Sequence, residues 1–119
     1  SERCFMHHSP EEGIDRYHRW REDLEFLLRS GVSHYRTSVS MCRILRRDGS
    51  ANEKAIKWYR EFFEAVKLVG LNLSVTLYHW ELPQYLSEAG GWRSGIAIDP
   101  FLRHVELVDE SLGDFIDQY

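Results

Sequence analysis

The sequence predicts an α/β protein in which parallel strands are joined by helices, and three observations predict it. Leu71, Leu73, Val75 and Leu77 alternate with Asn72, Ser74, Thr76 and Tyr78, the period of two that a pleated strand imposes. Three other stretches carry apolar residues at helical spacing. Each of these ends on a glycine (Gly31, Gly70 and Gly113, at near-equal intervals), and strand-like sequence follows each glycine. A repeated helix–glycine–strand unit implies parallel strands linked by right-handed crossovers.

Residues 1–14 read as an irregular lead-in, with Pro10 and Gly13 as breakers. His7 and His8 are adjacent with no partner at helical spacing, so they read as a solvated loop rather than a metal site. Asp15 is a competent N-cap for a first helix whose stripe is Tyr17, Trp20, Leu24, Leu27 and Leu28. A strand is expected over roughly residues 33–40, with Tyr35, Thr37 and Val39 on one face and His34, Arg36 and Ser38 on the other. Residues 46–50 form a polar turn. Asn52 caps a second helix with the stripe Ile56, Tyr59, Phe63 and Val66, and Gly70 ends it. The strand from Leu71 follows, then a short helical turn over residues 83–89 broken by Gly90 and Gly91. A third helix is expected to start with Asp99 as cap and Pro100 at its first position. Its stripe is Phe101, Val105, Val108 and Leu112, Gly113 stops it, and a last short strand runs over residues 114–119.

Composition narrows the function classes. With 119 residues, 43% hydrophobic and 29% charged, the chain can hold one small core. A net charge of −4 gives no reason to expect nucleic acid as a partner. No apolar run approaches the ~20 residues of a membrane span, so no membrane is expected. The first ten residues contain no signal-peptide h-region, which makes the cytoplasm the expected compartment. Cys4 and Cys42 form no CxxC pair, in keeping with a reducing environment. No metal or organic cofactor is expected.

The chemistry gathers where the strand from Leu71 runs out. His79, Trp80 and Glu81 crowd its C-terminal end, and Pro83 rules out a continued ladder. In parallel α/β architectures that end carries the active residues. An aromatic face beside hydrogen-bonding groups suits a sugar, with its apolar C–H face and hydroxyl rim. From side chains alone, a Tyr-His-Trp run is more often core or interface filling.

The wider pattern resembles the family 1 glycoside hydrolases, the β-glucosidase and β-galactosidase family. The resemblance rests on Asp15–Gly31, on the segment His34-Tyr35-Arg36-Thr37-Ser38-Val39-Ser40 with Arg43-Ile44, and on residues 52–86. Thr76-Leu77-Tyr78-His79-Trp80 followed by Leu82-Pro83 and then Gly90-Gly91-Trp92 is its most specific part. The resemblance implies a partial (β/α)8 barrel, a fold of at least ~250 residues when whole. Residues 15–119 would supply its second and third strands with flanking helices and the start of the fourth. The strand near Phe115 would lead to a Thr-x-Asn-Glu-Pro motif whose Glu is the acid/base. That Glu, the downstream nucleophile Glu and the first strand's glycone-binding Gln are not among these 119 residues. The implied reaction is retaining β-glycoside hydrolysis, and the implied ligand is a β-glycoside or sugar.

On that resemblance His79 and Trp80 are substrate-binding, hydrogen-bonding hydroxyls of the glycone sugar. Arg43 is the arginine that supports the nucleophile; outside this context, a lone strand arginine usually pairs structurally. No catalytic residue is assigned: Glu81 matches a family position, before Leu-Pro, that is not catalytic. Met41 replaces the family's tryptophan, which bears on local packing. The Tyr-Arg-Thr-Ser opening resembles the phosphoglycosidase branch and His-Trp-Glu-Leu-Pro the plain glucosidase branch, so the sugar stays open. The rival reading is a non-catalytic carbohydrate-binding or interaction module built on the same early strands. Under either reading an incomplete barrel leaves a strand edge unpaired, which predicts self-association or assembly with the missing half.

Overall fold

A computed structural model describes residues 15–119, so the expectations at residues 1–14, including Cys4, His7 and His8, lie outside the described residues. The chain divides into two compact units, Ser1–Gly31 and Val32–Tyr119. In the first, helix α1 spans Arg16–Arg29, and Trp20 and Leu24 are its buried side chains. Asp15 holds the cap position without capping through its side chain. Its carboxylate is turned to the His18 ring at 2.7 Å instead, and its carbonyl accepts the His18 and Arg19 amides. Leu28, placed in the stripe by its spacing, is half exposed.

The second unit is built around two parallel strands, β1 (His34–Ser38) and β2 (Asn72–Thr76), in register from His34 opposite Asn72 to Ser38 opposite Thr76. Between them run α2 (Met41–Ile44) and α3 (Glu53–Leu68). Then come α4 (Gln84–Glu88), a 3₁₀ turn (Gly91–Ser94), α5 (Ile98–Leu112) and a second 3₁₀ turn (Gly113–Phe115).

The apolar face of β2 does what its alternation requires. Leu71, Leu73 and Val75 are buried, and α3 covers that face with Ile56, Tyr59, Phe62, Phe63 and Val66. Phe62 had escaped the stripe, yet it meets Tyr35 of β1 edge-on at 6.1 Å. The opposite faces are polar: the Arg36 guanidinium donates to the Thr76 hydroxyl across the sheet.

Four expectations need correcting. The first strand stops at Ser38 because α2 follows, a single turn absent from the sequence reading and anchored by buried Met41 and Ile44. Met41 is thus a core residue, 1% exposed. Helix α5 begins at Ile98 with Ala97 as cap, so Asp99 and Pro100 are its second and third residues. Proline is tolerated there because first-turn amides have no intrahelical acceptor. Gly113 keeps helical angles and opens a 3₁₀ turn, unlike Gly70, which adopts φ 81 as a left-handed stop.

The final strand is also shorter than expected. It is represented by one parallel bridge, Gln118 to Ser74, on the side of β2 away from β1. Val75 donates to the Gln118 carbonyl at 2.8 Å, and Asp117 and Gln118 donate to Leu73. The Asp117 carboxylate accepts from Lys67 of α3 and from the Leu73 amide, both at 2.6 Å. These bonds hold its carboxyl below the usual carboxylate range, the Lys67 contribution being the larger. A third strand is thus started in parallel beside the second.

Candidate functional site

Because β1 and β2 are parallel, the segments that leave them emerge at the same end. The last rung donates the Val39 amide to the Thr76 carbonyl at 3.1 Å. The Ser40 amide then donates to the Tyr59 hydroxyl of α3 at 3.0 Å, and the chain turns into α2. With Met41 and Ile44 buried, Cys42 and Arg43 are left on the exposed side of that turn. Arg43 is therefore carried by a helical turn beyond the strand, not by the strand itself.

On the neighbouring branch, β2 ends at Thr76 and Tyr78 enters an aromatic cluster, 5.1 Å from Trp92 and 6.4 Å from Phe101. His79 and Trp80 follow, both exposed. Trp80 is 85% exposed and has φ 76, a left-handed conformation that bulky residues rarely adopt. The chain is fixed again at once, with Pro83 and Leu86 buried. Gly91 comes so close to Leu82 that a Cβ there would stand 3.2 Å from a Leu82 methyl. Arg47 lies over the Tyr85 ring at 5.2 Å.

The two branches touch: the Cys42 thiol donates to the Glu81 carbonyl at 3.8 Å. Partial burial, reinforced by the Glu81 charge, pushes that thiol up. The structure thus puts Arg43, His79 and Trp80 at one end of the parallel pair, on segments that touch through the neighbouring Cys42 and Glu81. A guanidinium, an imidazole and an indole offer charge for a carboxylate and hydrogen bonds for hydroxyls. Among the described residues no cluster of three or more His, Cys, Asp or Glu could hold a metal ion. Among them, too, no helix is long and apolar enough to cross a membrane.

His104 was missed by the sequence reading. It is fully buried in α5, and its Nε2 lies 3.0 Å from the Leu77 carbonyl. A carbonyl only accepts, so Nε2 carries the proton. Burial pushes the imidazole below its ordinary pKa, the Leu77 bond opposing in part. The signal was present: Phe101, His104 and Val108 are spaced three and four apart, which sets the histidine on the buried stripe.

The sequence pattern of glycosyl hydrolase family 1 matches residues 1–119. The chain is 34% identical over 110 residues to β-glucosidase A of Acetivibrio thermocellus, covering 92% of this chain and 25% of that protein. It superposes on a β-glucosidase from Exiguobacterium marinum with a TM-score of 0.91 and 33% identity, over 97% of this chain and 26% of that one. It also superposes on the β-glucosidase from Thermotoga maritima in complex with deoxynojirimycin with a TM-score of 0.81 and 35% identity, over 87% and 24%. The chain thus spans about a quarter of the length of these relatives. Its parallel strands and covering helices are part of a (β/α)8 barrel. With a match over its whole length and the specific Tyr-His-Trp segment at a barrel strand's C-terminal end, the chain belongs to glycosyl hydrolase family 1.

Proposed function

We propose that these 119 residues are a section of a retaining β-glycosidase of the β-glucosidase type, which hydrolyses O-glycosidic bonds. The observation that carries this reading is the family match joined to the placement of Arg43, His79 and Trp80 at one end of the parallel pair. Residues 15–119 supply the second and third barrel strands, their helices and the start of the fourth.

Trp80 and His79 hydrogen-bond hydroxyls of the glycone. Arg43 lies beside the nucleophile carboxylate, lowers its pKa and keeps it ionised. The reaction is double displacement: one carboxylate attacks the anomeric carbon while a second carboxylic acid protonates the leaving oxygen, the two ~5–5.5 Å apart. Both carboxyl groups come from other sequence. The 119 residues alone hydrolyse nothing, and the free edge of β1 recruits the rest of a barrel or a second copy.

Two measurements test this. The purified chain, offered nitrophenyl β-glucosides and β-galactosides, should show no turnover and should not be a stable monomer. Turnover abolished by Glu81→Gln would overturn the assignment of roles. The coding sequence should continue to an Asn-Glu-Pro motif; a stop codon directly after Tyr119 would favour the non-catalytic module.

A further inference from the structure

The Leu77 carbonyl is the first one past β2, and no described backbone amide donates to it. Its partner comes from a distant helix, the His104 Nε2–H of α5 at 3.0 Å. Two residues further on stand His79 and the left-handed, exposed Trp80. Such a backbone conformation persists only where the surroundings fix it. The same helix supports the intervening residue: Phe101 meets Tyr78 at 6.4 Å and Trp92 at 5.5 Å, and the His104 ring stands 6.3 Å from Phe101.

We infer that His104 is a positioning residue for the His79–Trp80 pair, pinning the end of β2 through the Leu77 carbonyl. What that pair is positioned for rests on the sugar-binding reading above; the pinning itself does not. The imidazole does this from Nε2–H, and its surroundings favour the neutral tautomer. Its other nitrogen, Nδ1, is buried with no hydrogen-bond partner. Protonation there would bury a second N–H without an acceptor. Burial disfavours the charged ring, and the Leu77 carbonyl opposes this only in part. Of the ionic groups of α5, Arg103 pairs with Glu106 and Asp109 accepts from the Tyr119 hydroxyl, while Asp99 and Glu110 lie on the same helix. On the covering elements, Lys67 pairs with Asp117, and Arg60 donates to the Ser111 carbonyl.

The experiment is NMR on the 119-residue chain and two variants. In the wild type, imidazole nitrogen shifts should identify His104 as the neutral Nε2–H tautomer at neutral pH. Order parameters at residues 78–80 should be near the rigid value of ~0.85. His104→Phe keeps a ring and loses the donor; residues 78–80 should fall below ~0.6 while Leu73 and Val75 stay rigid. His104→Gln, whose amide nitrogen can take the place of Nε2, should restore the wild-type values. An Nδ1–H or charged ring, or rigid residues 78–80 in His104→Phe, would overturn the proposal. Should His104→Phe fail to fold, the wild-type tautomer and the His104→Gln values decide. Titrating the wild-type chain with deoxynojirimycin is the separate arm: absence of shifts at His79 and Trp80 counts against sugar binding and leaves the His104 pin intact.

Discussion

Replacing Phe63 with alanine tests whether the face shared by α3 and β2 holds this unit together. Phe63 is 0% exposed, with Tyr59 and Phe62 rings at 5.8 and 5.7 Å. A buried aromatic removes ~150–250 Å² from water. At ~25 cal/mol per Å² that is about 4–6 kcal/mol. Partial collapse of the site brings the expected cost of Phe63→Ala to about 3–5 kcal/mol. Domains of this size have only about 5–15 kcal/mol in total. Leu68→Ala is the control: it lies on the same helix but is 81% exposed, and should change stability by no more than about 0.5 kcal/mol. Urea unfolding followed by tryptophan fluorescence reads both, and with a slope of about 1–3 kcal/mol/M the Phe63→Ala midpoint should fall by roughly 1–5 M. Equal midpoints for the two variants would refute the argument that this face is the core.

Four further outcomes are expected. Folded His104 is held neutral, so between its depressed pKa and the unfolded value of ~6.5 the unfolded state binds more protons. Stability is therefore lost as pH falls below ~6.5, and His104→Gln should flatten the slope of urea midpoint against pH there. Trp80→Gly relieves a left-handed strain of order 1–3 kcal/mol against a glycine entropy cost of about 0.5–1 kcal/mol, so the melting temperature should rise slightly. Gly90→Ala should lower it, because φ is 103 and a Cβ would stand 2.8 Å from the Ser94 side chain. The Tyr119 phenol is pushed up to about 12 by burial and by its bond to Asp109, so a phenolate absorbance step near that pH should vanish in Tyr119→Phe.

What was legible in the sequence follows from which forces act locally. α3 carries its amphipathic stripe and β2 its alternation, so both could be placed from side chains alone. α2 could not, because a single turn has no period; it exists through the burial of Met41 and Ile44 and the Tyr59 hydroxyl. The start of α5 was misplaced because Asp99-Pro100 is a strong local cap signal. The helix instead begins at Ile98, three residues past the left-handed Gly95. Placing His79 and Trp80 at a strand end needed only the proline, whereas the left-handed Trp80 and the His104 bond, which spans 27 residues of chain, left no local mark. Arg43 was assigned through resemblance, and its seat on α2 became visible only with the fold.

The most direct test of the central claim is a chimera in which residues 15–119 replace the matching section of the Thermotoga maritima β-glucosidase, assayed for kcat/KM on nitrophenyl β-glucoside. The account predicts measurable turnover. It further predicts that Arg43→Ala, His79→Ala and Trp80→Phe each lose at least about tenfold, the equivalent of ~1.4 kcal/mol of hydrogen bonding or charge. A folded chimera whose turnover is indifferent to all three substitutions would contradict it.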